Sequence, residues 1–331
     1  MLTLYSRNGT TVAAPEHGAA AKLSDEVVWI DLLRPDKSEV ELVEYMTGLD
    51  MPSFEELSEI ESSSRLRAEN GVLYLSAPLL HRGDGDDPKS APVGFVLCAE
   101  RLITIRFEAL TPFTTFEQNF GRAATPLHSA PEVFAGLVES IVDRAADALE
   151  GIAEELDRLS HHLFRAQPIH RHGKHHPARN EAQLRNSLRV VGHSGDLVSK
   201  IRDGLLALAR IVPFVTSNGA AWIQPELKPR LETVRQDIAS LSDYDSHLVN
   251  KVQLLLDATL GLINIEQNNI IKVLTVVSVV GVPPTLVASM YGMNFKMMPE
   301  LEWAWGYPYA LTLIALSAIL PLLWFRRRGW F

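Results

Sequence analysis

The sequence predicts an α+β domain, then long α-helices, and finally a hairpin of two membrane helices at the C-terminal end. Three observations predict this order. Short runs rich in β-branched and aromatic residues alternate with helical patterns over residues 1–125. Apolar residues then recur at steps of three and four over 126–268. Two apolar segments of membrane length, 269–290 and 307–325, follow and are separated by a polar loop at 291–306.

The first part of the chain predicts four β-strands and two short helices. The strands are expected at 27–33, 72–80, 93–100 and 101–107. Ser38 and Ser53 are the expected N-caps of the helices, because a serine before a helical pattern satisfies free backbone N–H groups. The polar segment 82–90, which contains three aspartates, is expected to be either a hairpin connection or a cation-binding loop.

The middle of the chain predicts three long helices. The first covers about 131–164, and the second begins near 181 and is ended by Pro213 and the Ser-Asn-Gly segment at 217–219. No strong helix breaker then appears between Pro229 and Pro283. This predicts one helix of about 55 residues, roughly 80 Å long, that enters the membrane without a break. A helix of this length needs partner helices to be stable in water.

A histidine-rich segment at 161–180 lies between the first two long helices. It holds six of the chain's 11 histidines. Neutral imidazole binds zinc, nickel and cobalt, so His170, His172, His175 and His176 are candidate metal ligands. The spacing matches no closed four-ligand site. Two interpretations therefore stay open: a solvated loop with incidental metal affinity, and a metal sensor.

Composition excludes several classes of function. The formal net charge of -9 argues against a nucleic-acid partner, which favours basic surfaces. The single cysteine, Cys98, excludes an intramolecular disulfide framework and a cysteine-rich zinc module. The first residues contain no long apolar stretch typical of a signal peptide, so the front domain is expected in the cytosol. Without a phosphate-binding GxxxxGK[ST] loop or a nucleophile–base pair, neither an enzyme nor an organic cofactor is expected.

Charges and aromatic residues around the two apolar segments predict their orientation. Lys272 lies at the start of the first segment, and Arg326, Arg327 and Arg328 begin the basic tail 326–331. The connecting loop holds Lys296 against Glu300 and Glu302. Because positive residues collect on the cytoplasmic side, both termini are expected inside and the loop outside. An interfacial aromatic belt flanks the second segment, formed by Trp303, Trp305, Tyr307, Trp324 and Trp330.

Small and polar residues form a stripe along one side of the first membrane helix. Back from Gly292, steps of three and four reach Ser289, Thr285, Val282, Ser278, Thr275, Ile271, Asn268, Asn264, Gly261 and Asp257. A polar stripe of this length needs either a polar partner surface or water. It predicts a pore lined by several copies of this helix, with Ile271, Leu274 and Val282 as apolar constrictions. The alternative is a packing face between neighbouring helices.

The segment YGMNF at 291–295 lies where such a pore would open to the outside. Gly292 allows close approach of the backbone, and Asn294 supplies an uncharged amide oxygen. A ring of amide oxygens can hold a cation through its hydration shell, which suits magnesium because that ion gives up water reluctantly. Met293 is expected to hold the loop by packing.

These motifs resemble one known family. YGMNF, the MPEL sequence at 298–301, the two apolar segments and the RRRGWF terminus are similar to the CorA family of magnesium channels, most closely over 243–331. The resemblance implies a homopentameric funnel with a central pore in the bacterial inner membrane. It also implies that hydrated magnesium binds first at Gly292, Met293 and Asn294, and that cobalt and nickel are secondary substrates.

The same resemblance implies pore-lining positions and regulation by cytosolic magnesium. The positions that the resemblance implies are Asn268, Ile271, Leu274, Ser278, Val282 and Thr285, and the polar stripe adds Thr275 and Ser289 to the expected lining. In the family, magnesium bridges acidic residues between subunits and holds the pore closed. The family's stalk aspartate falls near Thr233, which is not acidic. Glu232, Asp237 and Asp245 are therefore the candidate regulatory ligands.

Two alternatives to a magnesium channel stay open from the sequence. A zinc transporter of the same superfamily would make use of the histidine-rich segment. A membrane-tethered scaffold or sensor that conducts no ions would use the polar stripe for packing alone.

Overall fold

The computed structural model describes residues 1–12, 23–59, 61, 65–82, 88–120, 129–165, 177–294, 298–299 and 302–330. The chain divides into two compact units. The first consists of Met1–Arg171 and Leu188–Leu255, and the second of His172–Ser187 and Leu256–Phe331. The predicted fold class is confirmed: an α+β part comes first, long helices follow, and two apolar helices lie at the C-terminal end.

The first unit contains a seven-stranded sheet of order β2-β1-β3-β7-β6-β5-β4. Strands β3 and β7 pair in parallel, and all other neighbours pair antiparallel. The strands are β1 (Leu2–Ser6), β2 (Thr11–Val12), β3 (Val27–Leu33), β4 (Leu66–Glu69), β5 (Val72–Arg82), β6 (Pro88–Leu97) and β7 (Leu102–Arg106).

The described residues also form seven helices. They are α1 (Lys37–Thr47), α2 (Phe54–Leu57), α3 (Thr111–Phe120), α4 (Ala130–Arg165), α5 (Pro177–Asn218), α6 (Leu227–Tyr291) and α7 (Gly306–Arg327). The short helix α2 packs on the sheet, where the side chain of Leu57 lies against Gly94 of β6. An aromatic cluster joins the sheet to α3 and α4: Phe116 meets the Trp29 ring edge-on at 5.4 Å, and Phe134 meets Phe95 at 6.0 Å.

A buried polar network crosses the parallel pair β3–β7. Asp31 and Arg106 are 2% and 4% exposed, and an Arg106 amino group lies 2.7 Å from Asp31 Oδ2. Thr104 Oγ1 donates to Asp31 Oδ1 at 2.6 Å, and Glu117 of α3 accepts from Arg106 at 2.9 Å. Burial raises the pKa of Glu117, and the Asp31 carboxylate adds to this rise. The guanidinium therefore compensates two carboxylates in the domain interior.

The predicted elements of the first 125 residues are partly confirmed. All four predicted strands exist. Strands β5 and β6 pair as far as Arg82 and Pro88, and residues 83–87 of the predicted polar segment lie outside the described residues. Ser53 caps α2 by accepting from the Glu56 N–H. Ser38 is wrong as a cap, because Asp36 caps α1 and Ser38 Oγ instead donates to the Asp36 carboxylate at 2.5 Å. Strands β1, β2 and β4 and helix α3 were not predicted.

The three long helices are confirmed with longer bounds. Helix α5 passes through Pro213 and ends at Asn218, so the Ser-Asn-Gly segment marks its end and the proline does not. Helix α6 has 65 residues, which is about 97 Å. It continues through Pro283 and Pro284, which lie inside the predicted membrane segment 269–290. Residues 166–176 of the histidine-rich segment, including His170, His172, His175 and His176, lie outside the described residues.

Three cross-helix ion pairs attach α6 to the other long helices of the first unit. Arg230 Nε lies 2.6 Å from Glu139 of α4, and Lys251 Nζ lies 2.8 Å from Asp157 of the same helix. Arg202 Nε of α5 lies 2.9 Å from Asp245 Oδ2. These contacts meet the expectation that so long a helix needs partner helices in water.

The buried network predicts a specific loss of stability. Replacing Asp31 by alanine should lower the free energy of unfolding by about 3 kcal/mol, because Arg106 would stay buried with Glu117 as its remaining charged partner. The measurement is guanidinium unfolding of the detergent-solubilised full chain, followed by circular dichroism.

Asp25→Ala is the matched control, since this carboxylate is fully exposed and lies 3.7 Å from Arg101. Its removal should change the unfolding free energy by no more than about 0.5 kcal/mol. Equal midpoints for the two variants would contradict the importance assigned to the network.

Candidate pore-lining face and outer loop

Two helices of the second unit are long and apolar enough to cross a membrane. One is the C-terminal portion of α6 and the other is α7. In the most apolar stretch of 18 residues, α6 has no buried residue, and in α7 the buried share of the residues is 6%. These apolar surfaces are therefore open to whatever surrounds a single chain, as expected for helices in contact with lipid or with other copies.

Each of the two helices has one half-buried side. On α6 this side contains Val276, Val280, Pro283, Val287 and Tyr291. On α7 it contains Gly306, Ala310, Leu313, Ser317, Pro321 and Phe325. Both sets recur at steps of three and four, which defines one face of an α-helix. Within this unit, α6 is the element long enough to cover the whole length of α7, so we infer that these two faces cover each other.

The stripe of small and polar residues lies on the opposite side of α6 from this covered face. At about 100° per residue, Ser278, Val282, Thr285 and Ser289 point roughly opposite to Val276, Val280, Pro283 and Val287. The proposed constrictions are exposed, with Ile271 at 59%, Leu274 at 64% and Val282 at 61%. Seven of the eight predicted lining residues between Asn268 and Ser289 are thus exposed in the chain, and Thr275 is half-buried.

Two hydroxyl groups of the stripe are partly satisfied by the helix itself. Thr275 Oγ1 donates to the carbonyl of Ile271 and Thr285 Oγ1 to that of Gly281, each at 2.8 Å. Such back-bonding makes a single threonine tolerable in lipid. Each oxygen nevertheless keeps free lone pairs after donating its hydrogen, so both can still accept from water.

The outer loop begins directly at the end of α6. The Gly292 N–H donates to the carbonyl of Ala288 at 3.0 Å, and a Cβ at Gly292 would stand 3.3 Å from that same oxygen. Glycine therefore fits this tight last turn better than any larger residue. Asn294 and Met293 are exposed, and the exposure of Met293 does not match the expected packing role.

Electrostatics at this end of α6 favour cations. The last turn of a helix presents backbone carbonyls and carries about half a negative charge. Asn294 adds a neutral amide oxygen at this negative end. Glu302 of the loop is exposed, while Glu300 lies outside the described residues.

The structure separates the three candidate regulatory carboxylates. Glu232 accepts from Arg235 Nε at 2.8 Å, and this bond lowers the pKa of Glu232. Asp245 is fully buried beside Arg202; burial raises its pKa, and the guanidinium partly offsets this rise. Asp237 remains on the exposed surface of α6. Among the described residues, no three histidine, cysteine, aspartate or glutamate side chains lie close enough to hold a metal ion together.

Sequence reasoning missed an acidic face on α4 near Asp237. Burial raises the pKa of Asp143, and the negative charges of Glu139, Asp147 and Asp237 contribute to the rise. Glu139, Asp143 and Asp147 follow each other at steps of four, which places them on one side of α4. The spacing of like charges could have revealed this face in the sequence, because like charges four residues apart destabilise an isolated helix.

Comparison with known proteins gives a family for this fold. The family model described as "CorA-like Mg2+ transporter protein" matches residues 24–327. The magnesium transport protein CorA of Yersinia pseudotuberculosis is 33% identical over 330 residues and covers 100% of both chains. The CorA protein of Salmonella typhimurium is 33% identical over 305 residues, 92% of both chains.

Solved structures share the fold at low sequence identity. The complete CorA magnesium transporter of Methanocaldococcus jannaschii has a TM-score of 0.70 at 16% identity, over 100% of this chain and 98% of that one. The full-length CmaX protein has a TM-score of 0.66 at 17% identity, and the match covers 98% of this chain and 96% of that one. The full-length family match, together with relatives 33% identical along the whole chain, shows that this chain belongs to the CorA-like Mg2+ transporter family.

Proposed function

We propose that this protein is a channel that lets magnesium enter the cell across the inner membrane. The observation that carries the proposal is the position of the polar stripe, on the side of α6 opposite its half-buried side. A magnesium transport role is also that of relatives 33% identical over the full chain. Membership in a transporter family agrees with the expectation that the chain is not an enzyme.

Several copies are needed to build such a pore. One chain supplies two membrane helices and cannot enclose an aqueous path. When copies of α6 surround a common axis, their stripes face one another and line the path with Thr275, Ser278, Thr285 and Ser289. We take the assembly to be a homopentamer in lipid, as the family resemblance implies, with both termini in the cytoplasm.

The outer loop suits a hydrated divalent cation. Magnesium holds its water tightly, so a site for it works best through hydrogen bonds from bound water to oxygen acceptors. Asn294 provides such an acceptor at the negative end of each α6 helix without adding a full charge. A ring of carboxylates would hold the ion more tightly and release it more slowly. Glu300 and Glu302 would instead raise the local cation concentration near the entrance.

The membrane potential drives the ion inward. A double charge moving through 100 mV gains about 4.6 kcal/mol, so no nucleotide hydrolysis is needed. Rings of Ile271, Leu274 and Val282 would close the path by excluding water when the helices approach each other. Cobalt and nickel are the expected secondary substrates, as the family resemblance implies.

Cytosolic magnesium is proposed to regulate the channel through Asp237. Of the three carboxylates, Glu232 is paired with Arg235 and Asp245 lies beside Arg202 inside the chain. Asp237 is exposed and its charge acts on Asp143 of α4. A divalent cation at this acidic face relieves the repulsion between like charges. Helix α6 is continuous from Leu227 to Tyr291, so Asp237 and the lining residues belong to the same helix.

Replacing Asn294 by alanine should lower magnesium entry by about tenfold or more, since each subunit loses a charge-assisted hydrogen bond worth roughly 1.5–3 kcal/mol. Entry is measured in liposomes that contain the purified protein and a magnesium-sensitive dye. Asn269→Ala is the control, because this asparagine lies on α6 outside the stripe.

Unchanged magnesium entry in the Asn294→Ala variant would contradict the assignment of the outer ion site to this loop. Zinc entry without magnesium entry would identify a zinc transporter. A protein that admits no divalent cation, even with low internal magnesium, would be the non-conducting scaffold or sensor.

A cysteine at position 278, in a chain whose Cys98 is serine, should react with a water-soluble methanethiosulfonate reagent, and the reaction should block flux. The stripe faces water in the proposed pore, and this reagent needs an ionised thiol. Val277→Cys is the control, because its side chain points about 100° away from Ser278. Equal labelling at the two positions would contradict pore lining by the stripe.

Replacing Asp237 by asparagine should raise, by about fivefold or more, the cytosolic magnesium concentration that half-closes the channel. The control is Glu226→Gln, which removes the same charge from an exposed position just before α6 and should leave the half-closing magnesium concentration unchanged. Lower pH should weaken closure in the wild type. The raised pKa of Asp143 keeps this carboxyl protonated to a higher pH than usual, and protons then compete with magnesium. Magnesium sensitivity equal to wild type in Asp237→Asn would rule out this residue.

A further inference from the structure

We propose that the end of α7 is a binding site for the head group of an anionic phospholipid. The site combines three arginines with an ordered helix cap, and it continues the outward apolar face of α7. The inference rests on the proposed membrane-spanning arrangement, but it does not depend on which ion the protein carries.

The end of α7 is a well-formed cap. The Trp330 N–H donates to the carbonyl of Phe325 at 3.1 Å, and the Gly329 N–H donates to that of Arg326 at 3.2 Å. Gly329 has φ of 71°, the left-handed conformation that this cap requires. The ring of Trp330 packs 5.0 Å from that of the buried Phe325, which is the apolar contact typical of this motif.

This cap fixes the backbone that carries the arginines. Arg326, Arg327 and Arg328 are consecutive and exposed, so they fan out around the last turn of the helix. The Arg328 guanidinium lies 5.2 Å from the centre of the Trp324 ring, a cation–π contact. The negative end of the helix dipole further favours cations here.

The arginines continue an apolar face of α7. Leu316, Leu320 and Leu323 are exposed by 48%, 61% and 48%, on the side away from the half-buried face. Arg327 follows Leu323 by four residues and Leu316 by eleven, so it lies on this same side one turn further on. A lipid whose acyl chains cover these leucines would therefore have its head group beside Arg327.

A second helix brings one more positive charge to the same depth. Nineteen residues separate Gly306 from Phe325 on α7, and nineteen residues before Tyr291 on α6 lies Lys272. Because both helices rise about 1.5 Å per residue, Lys272 is level with Phe325 in an antiparallel hairpin. Lys272 is exposed and stands close to the side of α6 that α7 covers.

The chemistry selects an anionic lipid rather than a neutral one. A guanidinium binds phosphate oxygens through two parallel hydrogen bonds, and the two phosphate-bearing classes of bilayer lipid differ in net charge. A zwitterionic head group cancels its phosphate with an ammonium group. Phosphatidylglycerol keeps its negative charge and complements the four positive residues.

The test measures binding of short-chain phosphatidylglycerol to the full-length protein in a non-ionic detergent by isothermal titration calorimetry. Phosphatidylglycerol should bind at least tenfold more tightly than phosphatidylcholine of the same chain length. R326Q/R327Q/R328Q should weaken phosphatidylglycerol binding by about fivefold for each arginine removed. K37Q/K89Q/K228Q is the matched control, because it removes the same charge from exposed lysines of the first unit.

Two further variants separate an ordered site from diffuse charge. Gly329→Ala strains the left-handed cap and keeps all arginines, and Trp330→Ala removes the packing on Phe325. Both should weaken phosphatidylglycerol binding several-fold while circular dichroism and oligomer size stay unchanged. Wild-type affinity in both variants would overturn the proposal, and so would equal affinity for the two lipids.

Competition with inorganic phosphate shows whether the site binds a lipid head group or the free phosphate ion. At millimolar concentration it should not displace phosphatidylglycerol, because the outward leucines also bind the acyl chains. Full displacement would show a site for the free anion and would overturn the lipid assignment. Calorimetry needs no ion gradient, so a failure of magnesium flux in the same preparation would leave this result intact.

Discussion

The absence of water in a bilayer is the constraint on which the rest of this structure depends. Every polar group on a membrane helix must meet a partner from the protein or a water-filled cavity. Helix α6 satisfies most of its backbone internally and two hydroxyls by back-bonding, yet one side with small and polar residues stays largely exposed. Covering that side requires either other polar helices or water. The proposed association of several copies would supply both, because it brings the same polar side of each copy of α6 around a shared path.

The second consequence concerns the continuity of helix α6. One helix joins the ion pairs at Arg230, Asp245 and Lys251 to the uncovered stripe without a break. Pro283 and Pro284 remove the N–H groups that would bond to the carbonyls of residues 279 and 280, but neighbouring residues keep the helical path. The proposed regulation through Asp237 relies on this unbroken backbone.

Local patterns predicted the long helices and the membrane hairpin well, because their apolar periodicity extends over many turns. Prediction of an element failed where contacts distant in sequence determine whether it forms or where it ends. Strand β1 exists because it pairs with β3, some twenty-five residues away along the chain. Pro213 does not end α5, since Ile211, Val212 and Val215 are fully buried and hold the turn in place. Asp36 and Glu39 did carry a visible capping-box spacing, and Asn70 with Gly71 a visible hairpin turn. The position of Asp245 inside the chain depends on α5, and no pattern in α6 alone could show it.

The three faces of the membrane hairpin impose a radial order on any assembly. The stripe on α6, the mutually covered faces of α6 and α7, and the outward leucines of α7 succeed one another across the hairpin. If the stripe faces the axis, α6 forms an inner ring and α7 an outer ring, and the leucines meet lipid. The reverse order would expose Ser278 and Thr285 to acyl chains and place Arg327 toward the axis. Polar groups in hydrocarbon carry a free-energy cost, so the first order is favoured over the second, and the arginines of the proposed lipid site would then lie at the rim of the assembly.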